Sequence, residues 1–387
     1  MAKIISNLGN ASSQQGQQAI PQSDQSGPAM PTVPFGKAAK RIIAQGPTVQ
    51  QSPWSTTVAA QQPIQIPVIG WLSETKLTVT ETGGTGVAAT PGNDSPWNVI
   101  QNLQLLDPTG VPIINLSGYD LYLARLFGGY RPYRPDASSF GYSGITNGGT
   151  GAFKIIYDIF NEFSLHEGLG CLDDRDGASP WSLQITWNPL TAGPGPNNVY
   201  GVVPSGGAPV LTATLEAFGR AVVQSPTDKY GNPQEQTPPA EGTISYWTSK
   251  VYQVTAGLNT IQLTRVGNFI RNHILVFRDA SGIRSNADST GVTPTTITFQ
   301  WDNQNRFVVN TQTIRQFDYE LFGYDCPAGV IALPYTADPD GIPVNEGGFE
   351  YMPTIASTLL NLVFTSSAAG TLEVITNDII PGPGVQF

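Results

Sequence analysis

The sequence predicts an all-β protein built from two sandwich domains in tandem, and three observations carry that reading. Short runs rich in Val, Ile, Thr, Phe and Trp are separated by turn residues, drawn from 42 glycines and 32 prolines among 387 residues. That length exceeds the need of one small sandwich and suits two domains of ordinary size. Similar segments recur in the same order in the two halves, which points to a duplicated unit.

Composition narrows the function classes. Charged residues make up 12% of the chain, about half the usual share of roughly 25%. Hydrophobic residues make up 40%, so the chain is not disordered by composition. A surface this poor in charge suits a protein whose faces are buried in an assembly. The net charge of −10 argues against direct coating of nucleic acid, which calls for a basic excess. Cys171 and Cys326 lie in different halves with no CxxC spacing, so free buried thiols are expected rather than a disulfide framework or a zinc site. The first residues lack the apolar core of a signal peptide, and no stretch approaches a membrane span. Assembly in a host cytoplasm is the resulting expectation.

Four segments follow along the chain. Residues 1–46 are rich in Gln and Ser and punctuated by Pro21, Pro28, Pro31 and Pro34, which reads as a flexible arm. Its cations Lys3, Lys37, Lys40 and Arg41 outnumber the single acid Asp24, and Lys37–Ala44 is a candidate amphipathic helix. Residues 47–223 form the first domain. Strands are expected over Pro63–Ile69, Lys76–Glu81, Asn98–Leu106, Phe153–Ser164, Ser182–Trp187 and Val210–Phe218. Residues 224–241, with four prolines and no large aliphatic side chain, read as a linker. Residues 242–387 form the second domain, with strands over Ile244–Tyr252, Thr260–Leu263, His273–Arg278, Thr296–Trp301, Leu359–Phe364 and Thr371–Thr376.

The duplication rests on two pairs of segments. Gln65–Leu72 resembles Gln262–Phe269, with Gly70 and Gly267 in matching places. Tyr119–Gly128 and Ile314–Gly323 both read as short helices, with apolar residues three or four apart and a glycine stop. Phe127 and Phe322 then occupy equivalent positions.

The stretch Pro96–Leu123, PWNVIQNLQLLDPTGVPIINLSGYDLYL, runs from a strand through an Asp107-Pro108 turn to a helix opening at Ser117-Gly118-Tyr119. It resembles the corresponding region of the tectivirus major capsid proteins. Ile244-Ser245-Tyr246, the Gly267 segment and the Gln-rich arm are similar too. The order of features spans most of residues 50–380, whereas close motif similarity covers about a tenth of the chain. The resemblance implies two tandem eight-stranded jelly rolls with short helices in the loops. It implies a homotrimeric, pseudo-hexagonal capsomer of an icosahedral virion, contacting neighbouring capsomers and vertex (penton) and minor capsid proteins. It also implies an internal membrane beneath the shell. Lys3, Lys37, Lys40 and Arg41 of the arm would then face anionic lipid, and nucleic acid would not be contacted directly.

No catalytic, cofactor or metal site is expected. His166 lies near Glu167 and Cys171, yet no signature of a Cys–His nucleophile surrounds them, and His273 reads as structural. Asp173–Asp176 and Asp338–Asp340 carry parts of a calcium loop without its full ligand set, so solvated turns are the plainer reading. The cluster Tyr130–Arg134 mixes Tyr and Arg, a composition of subunit interfaces. Rival classes are a β-sandwich receptor-binding spike or adhesin, a carbohydrate-active jelly-roll enzyme, and an α/β capsid protein. The last needs long charged helices that this sequence lacks.

Overall fold

The computed structural model describes Phe35 and residues 39–84, 89–129, 142–163, 168–222, 237–239, 241–284, 291–335 and 351–382. The first half contributes β1 (Ala39–Gln51), β2 (Ala59–Ala60), β3 (Ile64–Gln65), β4 (Gly70–Thr82), β5 (Thr90–Pro91), β6 (Ile100–Leu106), β7 (Pro112–Leu116), helix α1 (Gly118–Phe127), β8 (Phe153–Phe160), β9 (Leu172–Asp174), β10 (Ser182–Trp187), β11 (Tyr200–Val202) and β12 (Val210–Val222). The second half contributes β13 (Ile244–Val254), β14 (Gly257–Leu263), β15 (Phe269–Asp279), β16 (Thr296–Trp301), β17 (Gln304–Asn310), helix α2 (Thr311–Phe322), β18 (Val330–Pro334), β19 (Met352–Pro353), β20 (Leu360–Ser366) and β21 (Gly370–Ile380).

Strand formation follows the alternation of side chains. In β4, Leu77 and Val79 are fully buried while Lys76, Thr78 and Thr80 point outward, the two-residue period of a strand with one core face. The β6–β7 turn is built by Asp107, whose Oδ1 accepts from the Thr109 and Val111 backbone N–H groups, both at 2.8 Å. Gly110, at φ +87°, supplies the left-handed residue that this turn requires.

Each half is a jelly roll, and the two share one strand order. In the first, β1-β12-β4-β8 faces a sheet in which β10 carries β2 and β3 on one side and β6, then β7, on the other. In the second, β13-β21-β15-β18 faces β14-β20-β16-β17. The first strand of each roll pairs with the last, and the helix sits in the same connection, after β7 and after β17. The expected duplication is therefore present in three dimensions. Gly70 and Gly267, at φ +91° and +102°, both stand where the chain enters the equivalent strand, third in its sheet, β4 or β15.

The helices also match the expectation, with differences at their ends, since α2 begins at Thr311 rather than Ile314. Ser117 caps α1 in a capping box with Asp120, and Asn310 caps α2 by accepting from Gln312 and Thr313. Gly323 ends α2 in the left-handed conformation. Gly128 ends α1 at φ −81°, and the left-handed residue is the next one, Gly129, at φ +72°. Phe127 and Phe322 meet edge to face, with centroids 5.4 Å apart.

The helix expected over Lys37–Ala44 is not formed from Ala39 onward. Residues 39–51 are instead strand β1, which pairs with β12 from Ala39↔Val222 to Gln51↔Leu211. Lys40 and Arg41 thus belong to a sheet rather than to a free arm, and Arg41 is ion-paired to Glu74 at 2.9 Å. The physical reason is alternation: Ile42 and Ala44 sit over the first core while Arg41 and Ile43 face out, and a helix would scatter them. Lys3 and Lys37, most of the 224–241 linker, His166, Tyr130–Arg134 and Asp338–Asp340 lie outside the described residues.

Asp318, on α2, is fully buried. Its Oδ2 accepts from the Ala332 backbone N–H at 3.1 Å and the Cys326 thiol at 3.3 Å, while Oδ1 has no hydrogen-bond partner. Burial pushes its carboxyl up to about 7 from the ordinary 3.8. The folded chain keeps this proton between about pH 4 and 7 while the unfolded chain releases it, so the group lowers stability as pH rises through that window. Asp318→Asn should remove this decline. In urea melts, the variant should gain on the wild type by about 1.4 kcal/mol for each pH unit across the window. A difference that does not vary with pH would show that Asp318 is ionised in the fold.

Candidate functional site

The junction between the two rolls is where the structure concentrates its unusual features. Strand β7, the last strand of the first roll's second sheet, pairs in parallel with β13, the first strand of the second roll, through Ile114↔Trp247 and Asn115↔Thr248. This contact fuses two sheets into one of ten strands. The sheet β13-β21-β15-β18 consequently has a core on each face. Ile270, Leu275, Phe277, Ile331 and Leu333 fill the second sandwich. The alternate residues Ile274, Val276, Val330, Ala332 and Ile375 pack into the first roll's core.

Trp247 is the anchor of the junction. It is 2% exposed and is surrounded by Ile114, Leu116, Leu121 and Ala124 of β7 and α1 and by Asp158 and Phe160 of β8. The C-terminal end of α1 is capped from the other roll. Asn272 Nδ2 donates to the Phe127 carbonyl at 3.3 Å, and Arg271, almost wholly buried, donates to the Gly128 carbonyl. Donors placed here satisfy carbonyls that a helix end leaves open and complement its partial negative charge.

A buried ionic cluster spans the same junction. Asp94 of the first roll accepts from Arg278 at 2.5 Å and from Arg284 at 2.6 Å. Both guanidiniums lie over the Tyr119 ring, at 5.5 and 4.8 Å. Arg284 also donates to the Ala328 and Asn93 carbonyls, so its planar fork is filled. Asp120 of α1 faces Glu373 of β21; burial raises both carboxyls, and the facing Asp120 charge raises Glu373 further. A cleft of about 600 Å³ opens beside the cluster, lined by Asp94, Asn98, Tyr119, Gln253, Arg278 and Glu373. Of the carboxyls that line it, Asp94 is held by Arg278 and Arg284, Glu373 lies 3.9 Å from Arg278, and Asp279 accepts from the Ser281 and Ile283 backbone N–H groups.

The residues singled out in the sequence fall elsewhere. Cys171 and Cys326 are both buried and free, and burial together with the nearby Glu162 charge pushes the Cys171 thiol well up, away from thiolate chemistry. His273 is fully buried against Tyr335, its Nδ1 3.0 Å from that hydroxyl, and burial pushes it down to about 3, so the ring is neutral. Asp173 is engaged by Arg175 in two bonds of 2.8 Å, Asp174 accepts from the Ile69 N–H, and Asp176 closes a turn onto Ala178. Among the described residues no group of three potential metal ligands gathers. Sequence reasoning missed Asp94, Trp247, Arg271, Arg278 and Glu373. The available signal was Arg and Asn among the apolar residues of β15, FIRNHILVFRD, where neither face of the strand reads as solvent-exposed.

Replacing Trp247 tests how far the junction holds the molecule together. Trp247→Ala removes a fully buried ring and should cost about 3–5 kcal/mol of unfolding free energy, measured by urea denaturation. A loss below about 1 kcal/mol would show that the rolls are held by their other contacts.

Neither a family model nor a curated protein sequence matches this chain. Solved structures do. The major capsid protein of Sulfolobus turreted icosahedral virus aligns with a TM-score of 0.62 at 10% identity, covering 88% of this chain and 97% of that one. PBCV-1 VP54, in a structure fitted into a reconstruction of the virophage Sputnik, aligns at 0.59 with 13% identity over 88% and 94%. The major capsid protein P2 of bacteriophage PM2 aligns at 0.51 with 12% identity over 90% and 100%. Identity this low speaks to architecture, and the architecture is matched over nearly the whole of each protein. The chain has the double jelly-roll fold of these viral major capsid proteins.

Proposed function

We propose that this chain is the major capsid protein of an icosahedral virion and that three copies form a six-walled capsomer. The observation that carries this is the parallel pairing of β7 with β13. Strand β13 turns back into β14, and the antiparallel steps through β20 and β16 bring β17 to run the same way as β13. By the shared strand order, β7 runs the same way as β1. Parallel pairing of β7 with β13 therefore stands both rolls in the same sense, related by a rotation about an axis along the strands. An antiparallel seam would have turned one roll upside down and closed the contact at two.

A rotation of this kind can be repeated between chains. Strands β1 and β17 end their sheets and are the counterparts of the two strands already joined inside the chain. Setting β17 of one copy beside β1 of the next applies the same step again, and heterologous contacts of this type form a ring when the rotation closes. Three copies, each supplying two walls, give a unit with a near-hexagonal outline that tiles a shell. Such a unit does not fit a five-fold vertex, so a separate vertex protein is the partner this geometry calls for. The likeness to viral capsid proteins supports the reading, and the sparse charge fits faces that are covered by neighbouring capsomers.

On this reading Lys3 and Lys37 of the N-terminal segment, with Lys40 and Arg41, which are exposed on strand β1, contact an internal membrane, each cation contributing about 1 kcal/mol near an anionic surface.

Light scattering on the purified chain should give three times the 41.3 kDa chain mass, and negative-stain images should show hexagonal outlines. A monomer at every concentration would overturn the proposal. Removing residues 1–34 together with Lys37→Ala, which leaves β1 intact, should keep that mass but weaken flotation with anionic vesicles; unchanged flotation would remove the lipid role from Lys3 and Lys37.

A further inference from the structure

We infer that Ile43 of one copy meets Phe307 of the next, beside Ala44 on Val308, with Ile43 taking the place between chains that Trp247 takes within one. This rests on the three-copy reading and names the residues that make it. The equivalence comes from a shared irregularity. In the first roll the β12–β4 ladder skips Ser73, pairing Gly219 with Leu72 and Phe218 with Glu74. In the second the β21–β15 ladder skips Arg271, pairing Asp378 with Ile270 and Asn377 with Asn272. Aligning the two bulges places Phe218 on Asn377. Their partners on the first strand of each roll are Ile43 and Trp247. The other side is aligned by the helix caps. Ile114 and Asn115 lie three and two residues before the cap Ser117, as Phe307 and Val308 lie before the cap Asn310.

Burial differs between the matched positions as an unfilled contact requires. Trp247 is 2% exposed and its match Ile43 is 62% exposed, while Ile114 is 1% exposed and its match Phe307 is only partly buried, with the neighbouring Val308 57% exposed. Eight of the ten residues of α1 are buried, because the second roll covers that helix; among the twelve of α2 only Thr311 and Asp318 are buried. Tyr319 stands 47% exposed on it. The same helix in the same slot is thus covered once and left open once, and the cover that fits is the outer face of a first roll. That face brings its own donors. Within the chain, Arg271 and Asn272 cap the C-terminal carbonyls of α1. At the matching place on the first roll, Arg41 and Lys76 flank Glu74 and lie over the Phe218 ring, at 5.2 and 5.4 Å. These cations suit the partial negative end of α2. The occupant is therefore a second copy of this chain, set with Ile43 against Phe307 and Ala44 against Val308.

The test uses the full chain. In the double variant Ala44→Cys/Val308→Cys, mild oxidation should give covalent dimers and trimers on a non-reducing gel, while each single variant stays monomeric on the gel. The native Cys171 and Cys326 are buried and do not compete. Ile43→Asp should weaken association roughly 30-fold or more, as loss of a central anchor does, and leave the melting temperature of the dissociated monomer unchanged. A wild type of three-copy mass that neither cross-links in the double variant nor dissociates with Ile43→Asp would overturn these contacts while leaving the ring intact. A monomer destabilised by Ile43→Asp would show Ile43 covered by its own chain, which also overturns the inference. A wild type that is itself monomeric would remove the ring and this contact together.

Discussion

One sheet, β13-β21-β15-β18, is packed on both faces, and the arrangement of the molecule follows from it. Burying alternate residues of β15, β18 and β21 in two different cores makes the sandwiches interdependent rather than beads on a linker. A strand buried on both sides has no polar face, which is why β15 is buried at nine consecutive positions. Its polar residues, Arg271, Asn272, His273 and Arg278, must then find partners inside, because an unpaired buried polar group is expensive. They do so at the α1 carbonyls, Tyr335 and Asp94.

Those internal bonds also set orientation. Hydrophobic packing alone would tolerate a slide of one roll along the other. The fixed geometry of Arg271 and Asn272 on the end of α1, and of Asp94 between two guanidiniums, allows one register. The parallel pairing at Ile114 and Trp247 then fixes the sense in which the rolls stand. Orientation is what the proposed ring depends on, since an error in one wall would propagate to each neighbour around it. Burial pushes the facing carboxyls Asp120 and Glu373 toward their protonated forms, which lessens the need for a third cation.

The surface follows the same economy. Several charges among the described residues are spent in short networks, such as Arg41, Lys76, Glu74, Asp158 and Arg125 on the first roll or Arg220 with Glu162. Outward strand positions are filled mainly by Thr, Gln and Asn. The hydroxyl pair Thr48–Thr214 is one example, and the amide pair Gln104–Asn115 another. Side chains of this kind lose little when covered by another protein, because they carry no net charge to desolvate.

Strand class, the duplication and both helices were legible in the sequence. Alternation marks Ser182–Trp187 and Thr296–Trp301 to the residue, the opening at Ser117 marks the start of α1, and apolar spacing with a glycine stop marks α2 from Ile314, three residues inside its true start. Strands β7, β17 and β18 were not legible. Strand β18 is a short apolar run buried on both faces, β17 is an exposed edge, and β7 is defined by what it pairs with rather than by its own pattern. The sequence likewise left residues 39–46 with the arm, because Gly46 and Pro47 interrupt an alternation that only the β12 ladder makes visible. Local periodicity records which side of a strand faces a core, and that much the chain determined by itself. Which core a second face meets, which edge is covered and which stays open depend on partners more than a hundred residues away, so Trp247 and Ile43 acquire their different fates only in the folded structure.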